Sequence, residues 1–160
     1  MTKINLLGID PGSSEQNPAA WAIINEEYDL IDSGYFPIKA KGAERAWYTA
    51  NKFESVCKTY DIDGCVIEKP FSPNPDSLMV LHNGIGAIMY VLYAYDINLV
   101  GFYTPNHIKK QATSDGHASK EKMQQKMCEM FGLEKVQKDE ADALGTAVTG
   151  MRHINGELID

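Results

Sequence analysis

The chain lacks an excess of positive charge. Its 160 residues include 15 lysines and arginines against 22 acidic residues, giving a formal net charge of −7. Nucleic-acid binding depends on cationic groups, so this balance taken alone argues against a DNA or RNA partner. The charge is unevenly distributed, because residues 38–58 and 107–126 each contain five basic and two acidic residues. These two segments form either basic surfaces or ordinary solvated faces.

The sequence also has few features of exported or membrane proteins. Its three cysteines, Cys57, Cys65 and Cys128, are widely spaced without a zinc-type pairing, as in reduced cytosolic proteins. No uninterrupted apolar run approaches the ~20 residues that span a bilayer, and no basic-then-apolar leader opens the chain. We therefore expect a cytoplasmic protein without a membrane partner. Its length and 44% apolar content predict one globular domain over residues 1–160.

What the chain does have is four carboxylates at the ends of predicted elements. Asp10 closes the apolar run 4–9, Glu68 closes the apolar run 65–67, and Asp139 and Asp142 open a helix-like stretch. A carboxylate at the tip of a buried strand is costly unless a positive group meets it. Four such groups converging on one point would repel each other, and two divalent cations would cancel their charge. This is the ligand set of a two-metal site, used mainly in phosphodiester chemistry.

Simpler explanations exist for three of these acids. Asp10 could hydrogen-bond its own backbone in the turn that it begins. Asp139 and Asp142 are three residues apart, share one helix face, and could merely stabilise the start of that helix. Glu68 is harder to explain in this way, because strand alternation points the adjacent Lys69 to the opposite side. Glu68 therefore favours the metal site.

The alternation of apolar and turn-forming residues predicts a mixed α/β sheet flanked by helices. Three leading strands form an antiparallel meander, and helices and parallel strands then alternate. Strand-end carboxylates in such a sheet gather at one edge. The small residues Gly145, Thr146 and Thr149 predict close contact between the last helix and that edge. The predicted strands are 4–10, 19–25, 28–38, 64–68 and 98–103, and the predicted helices are 43–60, 76–95, 105–112, 120–131 and 139–153.

Three further features each allow two interpretations. The helix 76–95 is apolar nearly all round, so its second side is either a subunit interface or part of a central core. Phe71, in the loop after Glu68, either stacks on an unpaired base or packs into the core. His117 either assists chemistry or is an ordinary solvated loop histidine.

Five segments, in this order, resemble the RuvC-type Holliday-junction resolvases of the RNase H-like superfamily. Each is modest alone, but the ordered set is specific and spans most of the chain. They are Gly8-Ile9-Asp10-Pro11-Gly12, Val66-Ile67-Glu68-Lys69-Pro70-Phe71, Asn83-Gly84-Ile85-Gly86, Gly116-His117-Ala118-Ser119-Lys120 and Asp139-Glu140-Ala141-Asp142-Ala143-Leu144.

The resemblance implies an RNase H-like fold and a magnesium-dependent endonuclease that resolves four-way and branched DNA by paired nicking in recombination and repair. It implies that Asp10, Glu68, Asp139 and Asp142 bind two Mg²⁺ ions, which Mn²⁺ could replace, and serve as the catalytic residues. It also implies that Phe71 engages opened bases and that Lys120, with either Lys109 or Lys110, contacts DNA. The family works as a homodimer through the long helix, here 76–95.

Two departures mark this chain within the resemblance. Residues 14–18 lengthen the turn after Asp10, and the acidic balance differs from that of basic bacterial enzymes. The chain is in these respects similar to divergent phage resolvases, which would act in the host cytoplasm. The alternatives are an RNA-processing nuclease of the same superfamily and a non-catalytic junction-binding protein. A sugar-kinase or actin-like ATPase also begins with a strand and Asp-x-Gly, but this chain is too short for its two domains.

Overall fold

The computed structural model describes residues 3–160, so the first two residues of the predicted domain 1–160 lie outside it. The strands are β1 (Asn5–Asp10), β2 (Ala19–Asn25), β3 (Leu30–Phe36), β4 (Gly64–Glu68) and β5 (Asn98–Tyr103). The helices are α1 (Gly42–Thr59), α2 (Pro75–Ala94), α3 (Pro105–Thr113), α4 (Lys120–Phe131) and α5 (Lys138–Asn155).

The five strands form one mixed sheet in the order β3-β2-β1-β4-β5. The β1–β2 and β2–β3 pairs are antiparallel, whereas β4 runs parallel to both β1 and β5. The predicted fold class, a three-strand meander followed by parallel strands with flanking helices, is therefore confirmed. The predicted bounds of β2, β4 and β5 match, while β3 is shorter at both ends than the predicted 28–38. It begins later because Tyr28 adopts a left-handed backbone (φ 63°) in the preceding turn, and it ends directly before Pro37.

Two apolar layers cover the two faces of the sheet. Alternate residues of β1 divide between them: Leu7 and Ile9 pack in the layer under α1 and α2, whereas Leu6 packs in the layer under α3, α4 and α5. Burial of both faces explains why β1 and β4 read as continuous apolar runs rather than as alternating ones.

Helix α5 lies against the centre of the sheet at unusually short distance. A Cβ atom added to Gly8 of β1 would come within 2.5 Å of the backbone of Ala143 and Ala147. The prediction of which residues permit this approach was partly wrong. Gly145 faces Met123 and Ile108 of the neighbouring helices, and it is Gly8 of β1 that makes room for α5. This close approach places the start of α5 beside the end of β1.

Helix α2 is long and apolar enough to cross a membrane by length and composition, although polar residues such as His82 interrupt it. The buried residues Ile85, Ile88, Val91 and Leu92 lie in the core under the sheet, as expected for a helix of a folded domain. The remainder of α2 is largely exposed. One side of α2 is therefore part of the core, and the subunit interface stays a prediction for the uncovered side.

Candidate metal and nucleic-acid site

Adjacent parallel strands bring two of the predicted acids together. Ile9 pairs with Ile67 in the β1–β4 ladder, so Asp10 and Glu68 follow at the same edge of the sheet. Asp142, on the first turns of α5, approaches them because α5 packs on β1. Ligand oxygens of Asp10, Glu68 and Asp142 lie within 4.8 Å of one another. Three acids that lie more than 50 residues apart in the sequence therefore form one compact carboxylate cluster.

Asp139 stands beside this cluster rather than in it. Its side chain is buried and accepts a hydrogen bond from Gln137 Nε2 at 2.8 Å. Gln137 also caps α5, because its side-chain oxygen accepts from the backbone N–H groups of Asp139 and Glu140. The charge of Asp139 nevertheless raises the pKa of its three acidic neighbours. Sequence reasoning missed Gln137, because the predicted helix begins at Asp139, whereas α5 begins at Lys138 and so places Gln137 directly before it.

The cluster carries strongly perturbed carboxyl groups. Burial first, and then the charges of Glu68, Asp142 and Asp139, raise the pKa of Asp10 well above its ordinary range. Burial and the charge of Asp142 raise the pKa of Glu68 to about 7. Burial also raises the pKa of Asp142, against the opposing effect of Lys120. Such shifts mean that the ionised cluster is short of positive charge.

Lys120 is the cation that the protein itself supplies. Its ammonium group donates a hydrogen bond to Asp142 Oδ2, and its charge lowers the pKa of Asp10 and Glu68. Burial favours the neutral amine of Lys120, but the surrounding acids outweigh that effect and raise its pKa. The sequence predicted Lys120 as a DNA contact, and the fold places it among the acids instead of on a separate basic surface.

The other predicted DNA-contacting residues occupy different positions. Lys109 lies close enough to lower the pKa of Asp142, and both Lys109 and Lys110 are partly buried on α3. The Phe71 side chain is 79% exposed, so the interpretation that it packs into the core is wrong. His117 is exposed, and its backbone N–H donates a hydrogen bond to Asp115 Oδ1, as an ordinary loop residue would.

The remaining simple explanations for the acids do not suffice. Asp10 does accept from the backbone N–H of Gly12, but the contact is long, at 3.4 Å. Lys69 is exposed and does not neutralise Glu68. Asp142 points into the cluster instead of capping its helix, a task that Gln137 performs.

The donors of the cluster suit a hard divalent cation. All three are carboxylate oxygens, the ligands that Mg²⁺, Mn²⁺ and Ca²⁺ prefer, and the cluster itself holds neither the cysteine nor the histidine of a typical zinc site. Three ionised carboxylates with one ammonium group leave a formal charge of −2, which a divalent ion would balance. The sheet order and this site define the chain as a nuclease of the RNase H-like class.

Comparison with known proteins identifies the family within that class. The family model described as crossover junction endodeoxyribonuclease RuvC matches residues 6–150. The chain therefore belongs to the RuvC family. A curated relative of that name from Hydrogenovibrio crunogenus is 33% identical, with 93% of this chain and 88% of the relative covered. One from Chromobacterium violaceum is 30% identical, with 96% and 89% covered, and one from Sulfurovum is 29% identical, with 94% and 97% covered.

Solved structures confirm the fold. RuvC of T. thermophilus in complex with a Holliday junction substrate superimposes with a TM-score of 0.79 at 18% identity, with 96% of this chain and 97% of that chain covered. The yeast mitochondrial Holliday junction resolvase gives a TM-score of 0.61 at 14% identity, with 92% and 78% covered. The predicted resemblance to RuvC-type resolvases is confirmed, and the similarity to phage resolvases in particular stays a prediction.

Proposed function

We propose that the protein is a magnesium-dependent endonuclease that resolves four-way DNA junctions by paired nicking, in DNA recombination and repair. The observation that carries the proposal is the convergence of Asp10, Glu68 and Asp142 within 4.8 Å at one edge of an RNase H-like sheet. Membership of a family of crossover junction endodeoxyribonucleases supports the substrate class. The RuvC relatives act on DNA, which supports a cytoplasmic location.

The carboxylates would hold two Mg²⁺ ions, with Mn²⁺ as a substitute. Asp10, Glu68 and Asp142 would supply the inner oxygens, and Asp139 would complete the site if its side chain turns from Gln137 toward the cluster. A bound pair of such ions supplies activated water and stabilises the leaving 3′ oxygen in phosphodiester hydrolysis. Lys120 would orient Asp142 and contribute positive charge where the scissile phosphate must approach the acids.

The exposed residues around the site suit a branched substrate. Phe71 stands in the loop that follows Glu68 directly, and an exposed aromatic ring there could stack on a base opened at the crossover. Lys109 or Lys110 would contact the backbone. We propose that two subunits pair through the uncovered side of α2, because paired nicks across a four-way junction need two sites related by a two-fold axis.

A cleavage panel tests this function. We expect nicking of a synthetic four-way junction with Mg²⁺ and none with EDTA, and slower or no cleavage of a flap and an RNA hairpin. Preferred cleavage of the RNA hairpin would favour the RNA-processing alternative. If the protein binds the junction but does not cleave it with any divalent ion, the non-catalytic alternative is favoured.

Metal-dependent binding provides a second test. The clustered acids repel a phosphate, so the junction should bind more tightly in Ca²⁺ than in EDTA at fixed ionic strength, without being cut. The double variant Asp139→Asn, Asp142→Asn should bind the junction without metal and fail to cut it. Equal affinity of the unmodified protein in Ca²⁺ and EDTA would contradict this electrostatic argument.

A further inference from the structure

Arg45 is a buried cation whose charge lacks a partner. Its side chain lies in the first turns of α1 and is only 6% exposed. The Nη1 atom donates a hydrogen bond to the carbonyl oxygen of Ile38 at 2.7 Å, whereas the buried Nη2 atom has no hydrogen-bond partner. Within residues 3–160 no carboxylate forms an ion pair with it. A buried guanidinium without an opposite charge is costly, which indicates a site that an anion completes.

The start of α1 adds a second source of positive potential at the same place. The residue before the helix, Lys41, has an extended backbone, and its side chain makes no capping hydrogen bond. The first N–H groups of this 18-residue helix are thus left without a side-chain acceptor. The exposed N–H groups and the helix dipole together favour a bound anion.

Both features border one cavity of about 460 Å³. Its lining includes Lys39, Lys41 and Arg45 together with Ser13 and Ser14. The acidic residue in the lining is Glu15, and Lys39 already lies 3.9 Å from its carboxylate. The cavity therefore has a net positive lining in a protein whose overall charge is negative.

The cavity is close to the proposed active site. Arg45 and Gly42 also line a smaller adjoining cavity, whose other walls include Pro11 and Gly12, directly after Asp10, and Asn83 and Gly84 of α2. A DNA strand that places its scissile phosphate at the acids could thus reach Arg45 with a neighbouring phosphate. The lengthened turn 14–18 forms one wall of the larger cavity.

We propose that the cavity between the 13–16 turn and the start of α1 is a phosphate-binding subsite, in which Arg45 and the N-terminus of α1 hold a backbone phosphate of the DNA away from the scissile bond. This inference rests on the proposed function. A guanidinium group and converging backbone N–H groups are the donors that bind phosphate oxygens most effectively. The subsite gives the acidic protein a local attachment point for DNA that its net charge does not suggest.

The salt dependence of junction binding tests the role of Arg45. Binding is measured in Ca²⁺ in a Glu68→Gln background, so that cleavage does not consume the junction. Removal of one phosphate contact should lower the slope of log affinity against log salt by about 0.9 and weaken binding roughly tenfold or more. We expect this for Arg45→Gln and a smaller loss for Arg45→Lys, which retains the charge without the fork. The control Lys58→Gln, at the opposite end of α1, should leave the slope unchanged. Equal slopes for Arg45→Gln and the parent protein would overturn the proposal.

A second variant avoids the risk that Arg45 substitutions prevent folding. Lys41→Asp places a carboxylate where it can accept from the free N–H groups of α1, so it should raise the Tm while weakening junction binding. Lys58→Asp makes the same charge change at the other end of the helix and should weaken binding much less. A stabilised Lys41→Asp protein with unchanged junction affinity would contradict the proposal.

The source of the phosphate is tested with modified junctions and with inorganic phosphate. Neutral methylphosphonate linkages are placed singly along the strand near the crossover. We expect one position to weaken binding by the parent protein but not by Arg45→Gln. If inorganic phosphate raises the Tm through Arg45 while no such position exists, the site binds free phosphate and the DNA proposal is wrong. Cleavage of the junction by the wild-type protein is measured in parallel. Its absence would refute the proposed function, whereas normal cleavage with unchanged slopes would refute this subsite alone.

Discussion

Helices α2 and α5 cover opposite faces of the same sheet, yet the chain buries them very differently. Every residue of α5 from 141 to 151 is buried. On α2 only four residues are fully buried, while Met79, Met89, Tyr90 and Tyr93 are 43–83% exposed. Helix α2 is the more apolar of the two and yet the more exposed, so apolar composition does not explain the contrast.

The difference follows from what surrounds each helix. Helix α5 is enclosed between the sheet and α3 and α4, whereas α2 has the sheet and α1 on one side and nothing on the other among residues 3–160. The enclosed helix α5 places Asp142 beside the strand ends that carry Asp10 and Glu68. Soluble monomers rarely leave a large apolar surface uncovered, which supports the proposal that α2 pairs with a second subunit. The helix on one face of the sheet therefore carries Asp142 to the acid cluster, whereas the helix on the other face leaves an apolar surface open.

The largest expected effect concerns the acid cluster, on the side of the sheet that α5 covers. Asp10→Asn, Glu68→Gln, Asp139→Asn and Asp142→Asn should each reduce junction cleavage at ordinary Mg²⁺ by more than the roughly 10–100-fold that a supporting group contributes. The reason is that all four would position the same ions. Single-turnover cleavage and thermal melts, to verify folding, check this. A near wild-type rate for Asp139→Asn would restrict the site to the three clustered acids.

A pair of glycine substitutions tests the difference in packing. Gly8→Ala should destabilise the protein by several kcal/mol, because its Cβ would meet the backbone of α5 at 2.5 Å. Gly86→Ala on α2 meets nothing within 4 Å and should stabilise the isolated chain by about 0.5–1 kcal/mol. Urea unfolding of both variants gives the comparison. If Gly86→Ala instead weakens a dimer, the two α2 helices must approach closely there.

The exposed face of α2 can be disrupted by charge. Met89→Lys should dissociate the dimer, with a loss on the order of 3 kcal/mol or more if the new ammonium group is buried unpaired between subunits. Multi-angle light scattering at micromolar concentration measures the effect, and Lys52→Gln on α1 is a surface control. A monomeric wild-type protein with full junction activity would contradict the proposal that α2 forms a subunit interface.

The acid cluster should also make the stability of the protein depend on pH when metal is absent. The pKa of Glu68 is about 7 in the folded protein, against 4.5 in the unfolded chain, so the folded state binds more protons between these values. The protonated Glu68 side chain therefore stabilises the folded state fully below pH 4.5. This stabilisation, on the order of 3 kcal/mol, is lost as the pH rises through 7. Melts in EDTA should show this decline, and Glu68→Gln or added Mg²⁺ should reduce it. If the difference in Tm between the wild type and Glu68→Gln did not change with pH, the raised pKa of Glu68 would be contradicted.

The effect expected at Phe71, in the loop that joins the acid site to α2, is smaller than the effects expected at the acids. Phe71→Ala should weaken cleavage of intact junctions by roughly 1–3 kcal/mol, as expected for one lost base stack, and should affect pre-opened junctions less. Because the ring is exposed, the Tm should barely change. A large loss of stability would instead show that the ring packs against the protein.

Much of the site was predictable because it lies at boundaries between elements. Asp10 and Glu68 end apolar runs, and adjacent parallel strands must end at one edge of a sheet, so their proximity follows from local pattern and fold class. Lys120 was foreseeable only as a functional lysine. Its place among the acids depends on how α4 packs against α5, and no spacing in the sequence encodes that packing directly. Arg45 left a weaker signal, as a charged residue on the buried stripe of α1.

The sequence by itself determined the order and type of the elements, the position of each acid at an element end, and the apolar character of α2, because these depend on local periodicity and turn chemistry. The tertiary structure decided which acids meet, which cation joins them and which apolar surface remains open. Those outcomes depend on distances between residues far apart in the chain, such as the approach of α5 to Gly8. The burial that raises the pKa of Glu68 to about 7 and leaves Arg45 Nη2 without a partner exists only once the layers have packed together.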